Sequence, residues 1–223
     1  MPRQYDVVTF DCYGTLIDWE TGIGDAFVRA ASEDGVTLDR DEVLRAYAET
    51  EEVVEHEQYR PYVDVLTETA TRVARALGWP LAYERATFLA SSLPEWCAFP
   101  DTNAALERLR DAGYKLGILS NIDDVLLAAT RRHFTVDFDI IVTAQQVRSY
   151  KPGYAHFLTA RQQHIGDQRW LHAAQSNVHD IVPANALGIP TAWINRHARP
   201  ALPGGTPTYE LRDLAGLADL LAQ

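Results

Sequence analysis

Four polar groups in this chain each follow a run that reads as a buried strand. They are Asp11 after Asp6-Val7-Val8-Thr9-Phe10, Ser120-Asn121 after Lys115-Leu116-Gly117-Ile118-Leu119, Lys151 after a strand and a loop, and Ser176-Asn177 with Asp180 after Trp170–Ala174. Together they supply two carboxylates, an amine, hydroxyls and carboxamides, the group types that do nucleophilic and acid–base work. One Asp behind an apolar run is weak evidence, because turns and helix N-caps use the same residue. Four such groups in order along one chain are harder to dismiss. Plainer roles stay open for each. Ser120 and Asn121 can cap the next helix, and Lys151 can be a surface lysine before Pro152. Ser176 or Asn177 can be an N-cap, with Asp180 in a capping arrangement.

For these groups to meet, the strands that carry them must run parallel, since ligands of open parallel sheets bind beyond the carboxyl ends of the strands. The chain from Pro94 onward has that alternation. Helices are expected over Asp101–Ala112 (ended by Gly113), Val125–His133, Tyr154–His164 and Asp180–Leu187, with a closing helix over Tyr209–Leu221. Strands are expected at Lys115–Leu119, Phe138–Thr143, Trp170–Ala174 and Thr191–Ile194, and Pro200–Pro207 is a loop. Strands alternating with helices imply right-handed crossovers and a parallel sheet. The Asp6–Asp11 strand, running into a tight loop at Gly14, adds the first carboxylate.

Between these parts the texture changes. Residues 17–95 are rich in Ala, Glu, Arg and Leu and read as all-helical, with helices over Asp39–Glu57 and Tyr62–Leu77, the second stopped by Gly78 and Pro80. The organisation is therefore an α/β core of residues 1–16 and 96–223 with a helical insertion at 17–95. The insertion holds seventeen Asp/Glu against seven Lys/Arg, a net of −10, while the core accounts for −1. That excess reads either as a well-solvated helical face or as an acidic lid that discourages anionic substrates.

Composition narrows the class. The 223 residues are 47% hydrophobic and 23% charged, as in a soluble globular protein. A chain this long buries about 70% of its surface without a staple. Cys12 and Cys97 make neither a disulfide framework nor a Cys-rich metal site, and His179 has no second ligand at metal spacing. No apolar run spans a membrane and Met1–Tyr5 lacks a signal-peptide core, so a reducing cytoplasm is expected. A net charge of −11 argues against nucleic-acid or anionic-membrane partners.

With these residues in place the chain resembles the haloacid dehalogenase superfamily of hydrolases with a helical cap after the first motif. The resemblance rests on Asp11-Cys12-Tyr13-Gly14-Thr15-Leu16, Leu119-Ser120-Asn121, Tyr150-Lys151-Pro152, Ser176-Asn177-Val178-His179-Asp180 and the ending Gly188–Arg196. Within the superfamily the chain is most similar to the type II, L-2-haloacid dehalogenase branch. The resemblance implies a Rossmann-like core and a covalent mechanism with Asp11 as nucleophile. Lys151 would keep Asp11 ionised, Thr15 would fix its rotamer, and Asp180 would pair with Lys151 and act as base for the hydrolytic water. Ser120 and the main-chain N–H groups of the Asp11–Leu16 loop would hold a substrate carboxylate or oxyanion. Ser176 and Asn177 complete the catalytic set. Cys12, Tyr13, Asn121, Arg45, Gln175 and His179 are the expected substrate-side residues, with His179 a pocket-wall or solvent group and Cys12 a packing one. No cofactor is expected; the sequence is silent on oligomeric state, and a homodimer is raised only because relatives of this branch often dimerise.

Departures from the superfamily shape the reaction. Its phosphatases carry a second Asp two residues after the nucleophile, where this chain has Tyr13, and an acidic metal ligand where it has Gln175. A phenol is poorly matched to acid catalysis at neutral pH, and an amide brings no charge to Mg²⁺. Both point to metal-free attack at carbon, where a halide leaves without a proton. Against the dehalogenase branch itself, no cap arginine aligns firmly: Arg45 is the nearest candidate and Tyr47 competes for its place. Phe157 stands for a tyrosine, His179 for an aromatic and Gln175 for a serine. The acidic run Glu49, Glu51, Glu52, Glu55, His56 and Glu57 would suit a cationic substrate if it faced the pocket. The leading expectation is hydrolytic dehalogenation of a small 2-haloalkanoic acid. The alternatives are the same mechanism on a C–N bond such as a cyclic amine carboxylate, a Mg²⁺-dependent phosphatase, and a non-catalytic binding module on the same fold.

Overall fold

The protein is described by a computed structural model, which covers residues 3–55 and 57–222. His56, one residue of the acidic run, and Met1–Pro2 lie outside the described residues.

Six strands form one parallel sheet: β1 (Val7–Phe10), β2 (Lys115–Ser120), β3 (Ile140–Thr143), β4 (Trp170–Ala174), β5 (Thr191–Ile194) and β6 (Tyr209–Leu211). Their order is β3-β2-β1-β4-β5-β6, the Rossmann-like order, in which the direction of winding reverses beside β1. Every residue of β1, β4 and β5 is buried, as expected for strands covered on both faces. Phe10 is level with Ile118 on one side and Ala173 on the other, so Asp11, Ser120 and Gln175 emerge near one another at the carboxyl edge.

Ten α-helices are found among the described residues: α1 (Trp19–Glu33), α2 (Arg40–Glu55), α3 (Tyr62–Ala76), α4 (Phe88–Ser92), α5 (Thr102–Asp111), α6 (Asp124–Thr130), α7 (Ala144–Val147), α8 (Ala155–Ala160), α9 (Val182–Ala186) and α10 (Leu214–Leu221). The expectation of one helix over Tyr209–Leu221 needs correction. Tyr209–Leu211 is a strand paired with β5, and α10 begins only after Asp213, whose Oδ1 accepts from Gly216 N at 2.8 Å. The expected helices after Tyr154 and before Leu187 are each part helix and part wide turn. α8 opens into a turn closed by Gly166 N on Arg161 O, and α9 follows one closed by Ile181 N on Ser176 O.

The chain divides into two compact units. The first takes the chain through Ile17, then Ala98–Asn121, then everything from Arg131 onward. Its core holds Val7, Leu119, Val142, Phe157, Trp170 and Ile189, each worth about 1.5–3 kcal/mol when fully buried. α5 and α10 pack on each other, and α8 packs on β2 and β3.

The second unit is helical and comprises Asp18–Cys97 with Ile122–Thr130. That last segment was read from sequence with the core. It is tied in by Asp123, whose two carboxylate oxygens accept from Tyr62 N (3.0 Å) and Val63 N (2.9 Å) at the start of α3. Asp18 caps α1 by accepting from Thr21 N. α3 buries Val65, Leu66, Ala70 and Val73 at helical spacing. Gly22 is required within α1, because a Cβ there would lie 2.3 Å from the Trp96 ring. Of the acidic run, Glu49, Glu52 and Glu57 are exposed, whereas Glu51 accepts hydrogen bonds from Tyr47 and Tyr62 and Glu55 is buried.

Candidate active site

The carboxyl edge of the sheet brings Asp11, Thr15, Lys151 and Asp180 into one hydrogen-bonded group. Lys151 is buried at 2% exposure, and its Nζ donates to Asp11 Oδ1 (2.9 Å), Leu119 O (2.9 Å) and Asp180 Oδ1 (2.6 Å). An ammonium has three protons, so all are committed. Asn121 seats this lysine: its Oδ1 accepts from Lys151 N (2.7 Å) and its Nδ2 donates to Lys151 O (3.1 Å). Thr15 Oγ1 donates to Asp11 Oδ2 (2.9 Å) and accepts from Gln175 N (2.9 Å), so the loop after β1 is locked to the end of β4. Trp193 Nε1 then holds Gln175 O at 2.8 Å.

Two carboxylates share one buried cation, which sets the electrostatics. Burial pushes Asp11 up from the ordinary carboxyl value, and neighbouring Asp180 adds to the rise while Lys151 opposes it. Burial also acts against Asp180, but Lys151 and a hydrogen bond from His172 overcome it and hold that carboxyl at about 2. Burial would neutralise Lys151, yet the two aspartates outweigh it and keep the ammonium charged. Asp180 is thus the firmly ionised partner, and Asp11 the one whose burial its neighbours do not fully offset. Burial pushes the Cys12 thiol well up, with Asp11 contributing, so Cys12 packs as a neutral group.

The loop joining β1 to Leu16 turns at Gly14, whose φ is +93°. Its Gly14, Leu16 and Ile17 amides are spent inside the turn, on Ile17 O and Cys12 O. A part of the support was not read from sequence. Arg196 grips Asp101 with both terminal nitrogens (3.1 Å each), donates to Thr15 O (3.0 Å) and lies 3.9 Å over the Phe99 ring. The signal was present as Arg196 closing the Gly188–Arg196 run.

Other expected site residues are placed differently. Ser120 is 1% exposed, and its Oγ has no hydrogen-bond partner among the described residues. Its carbonyl faces His156 Nε2 at 3.1 Å, and burial with the nearby Lys151 charge pushes that imidazole down to about 3. Ser176 Oγ accepts from His179 N (3.0 Å), the capping role weighed for it. Asn177 is engaged at both ends by the following loop, donating to Gly205 O (2.9 Å) and accepting from Leu202 N (3.1 Å). Tyr13, Gln175 and His179 are half-buried. Arg45 belongs to the helical unit and is exposed on α2; Tyr47 is buried there.

His172, Thr9 and Trp170 were also missed. They sit inside β1 and β4, where Thr9 and His172 are register partners. A histidine within an otherwise apolar strand was the available signal.

The chain is similar to known proteins in sequence and in fold. The chain is 28% identical over 220 residues to an (S)-2-haloacid dehalogenase 4A of Burkholderia cepacia, covering 96% of this chain and 90% of that one. Among solved structures, the L-2-haloacid dehalogenase RSc1362 superposes with a TM-score of 0.76 at 26% identity, covering 98% and 99% of the two chains. The L-2-haloacid dehalogenase of Xanthobacter autotrophicus shares the fold, with a TM-score of 0.81 at 19% identity over 97% and 98%. Residues 5–172, which carry the Asp11–Leu16 loop, Lys151 and most of the sheet, match the family profile of haloacid dehalogenase-like hydrolases, and it is to that family that this chain belongs.

Proposed function

We propose that the chain hydrolyses small 2-haloalkanoic acids through an ester on Asp11, without a metal. The observation that carries this reading is the clamp on Asp11: one oxygen held by Lys151, the other by Thr15, with the carboxylate desolvated at 7% exposure. Orientation and loss of solvent make a weak nucleophile serviceable. The relatives described as 2-haloacid dehalogenases support the substrate class. Tyr13 and Gln175, where phosphatases of the superfamily carry carboxylates, support attack at carbon.

In the first step an Asp11 oxygen attacks C2 of the substrate, a C–O bond forms, and the C–halogen bond breaks with its electron pair leaving on the halide. Ser120 and the loop amides not spent in the turn hold the substrate carboxylate. In the second step water adds to the Asp11 ester carbonyl and gives a proton to Asp180. Collapse breaks the acyl C–O bond, and the departing alkoxide takes that proton. The 2-hydroxy acid leaves and Asp11 returns as a carboxylate after losing the second water proton to solvent. Attack at C2 occurs once, so its configuration inverts. Arg45 is the cap residue proposed for the halide; Cys12, Tyr13, Asn121, Gln175 and His179 border the substrate, and Ser176 and Asn177 support the hydrolytic step.

EDTA-treated protein should release chloride from L-2-chloropropionate, and Asp11→Asn should abolish that release. Release that requires Mg²⁺, or none from a folded protein, contradicts the reading and moves the search to phosphate esters or cyclic amines. The proposal includes action as a homodimer, checked by light scattering, and a cytoplasmic setting. No helix of the described residues is long and apolar enough to cross a membrane.

A further inference from the structure

We infer that His172 is a positioning residue for Asp180, its tautomer set by Trp170 through Thr9, so that one Asp180 oxygen is held and the other faces the hydrolytic water. This inference rests on the ester mechanism proposed above.

The wiring follows from which groups can donate. Trp170 Nε1 only donates, and it lies 2.7 Å from Thr9 Oγ1, which accepts. His172 Nε2 lies 2.9 Å from Asp180 Oδ1, and an ionised carboxylate only accepts, so Nε2 carries the proton. In the neutral ring Nδ1 is then bare, and it takes the Thr9 hydroxyl proton at 2.8 Å. All three contacts of the chain Trp170–Thr9–His172–Asp180 pair a donor with an acceptor in this arrangement. The ring is fully buried, and Phe157 packs on it edge-on at 5.1 Å, which fixes its plane.

The consequence falls on Asp180. Its Oδ1 takes both charge-assisted bonds, from Lys151 and His172, while Oδ2 is buried with no partner among the described residues. A buried carboxylate oxygen left unpaired is costly, and such exceptions mark function. Here Oδ2 is the oxygen left to accept a hydrogen bond from water. The titratable groups around Asp180 are Lys151 and Asp11, His172 on β4, His156 on α8, and His179 on its own turn.

The test separates ester formation from ester hydrolysis. In His172→Leu, L-2-chloropropionate should still give a burst of one chloride per site, while turnover falls about tenfold. The Asp11 ester should then accumulate, seen as a mass adduct on the intact protein. The acid limb of hydrolysis should move to higher pH, because Asp180 loses a bond that favours its charge. His172→Gln, which keeps a donor, should recover most of the rate. Thr9→Val serves if the leucine variant does not fold. Equal slowing of both steps with no adduct and an unmoved acid limb would mean that His172 merely fills space, and would overturn the inference. If the wild type itself forms no ester, the dehalogenase reading fails and the wiring is judged alone by ¹⁵N NMR of the histidines. The expected ring is protonated at Nε2 in the wild type; a neutral ring protonated at Nδ1 overturns the inference.

Discussion

Replacing Lys151 by Met should destabilise the protein strongly at neutral pH and much less in acid. The lysine side chain is 1% exposed and is the cation shared by Asp11 and Asp180. Met fills a similar volume, so the loss is electrostatic. Breaking a buried ion pair by removing one partner costs about 3–5 kcal/mol, because the other charge is left buried. For a chain of this size that lowers the melting temperature by roughly 6–20 °C. The pH dependence has a definite sign. In the wild type Asp180 is held at about 2, below its ordinary 3.8, so its contribution is present above 3.8 and lost as pH falls toward 2. Without the lysine, burial raises both carboxyls in the folded state. The variant then binds protons more readily folded than unfolded, and its penalty grows as pH rises above the ordinary carboxyl value. Urea denaturation followed by fluorescence and circular dichroism at pH 7 and near pH 4 reads both effects. The difference between variant and wild type should shrink by more than half on acidification, and Asp180→Asn in the Met background should recover much of the loss at pH 7. A Lys151→Met protein as stable as wild type at pH 7, or a penalty that ignores pH, would refute the electrostatic reasoning.

Three further outcomes follow from the geometry. Arg196→Lys cannot keep both bonds to Asp101 and the bond to Thr15 O, so the Asp11–Leu16 loop loosens; kcat should fall about two- to tenfold with a smaller change in KM, read by steady-state chloride release. Asp123→Ala uncaps α3 and should cost about 1 kcal/mol, seen as a melting temperature lower by about 2–4 °C. Gly205→Ala places a Cβ 1.9 Å from Asn177 Oδ1, so it should displace that side chain and destabilise by about 1–3 kcal/mol in urea denaturation.

Much of the fold was legible because the signals were local and periodic. The apolar runs before Asp11, Ser120 and Gln175 became β1, β2 and β4, and their parallel register aligned the groups behind them. Gly78 and Gly113 ended helices as read, each in the left-handed region that glycine tolerates. Tyr209-Glu210-Leu211 was misread because three residues fit either period, and only pairing with β5 makes them a strand. Asp123 looked like part of a core loop; its partners on α3 lie some sixty residues away in sequence. His172 was hidden for a similar reason. Its meaning comes from Thr9 across the sheet and Asp180 beyond the strand end, and neither contact is local. Asn177 sits in the motif, and its amide is engaged with Leu202 and Gly205 of a loop that the motif does not contain, a contact no local pattern shows.

The ester on Asp11 is tested most directly by one turnover of excess enzyme on L-2-chloropropionate in ¹⁸O-water. The account predicts an unlabelled hydroxyl on the product, because that oxygen comes from Asp11, and one ¹⁸O in the Asp11 peptide. Label in the product hydroxyl after a single turnover, with Asp11 unlabelled, would show that water attacks the substrate directly and would contradict it.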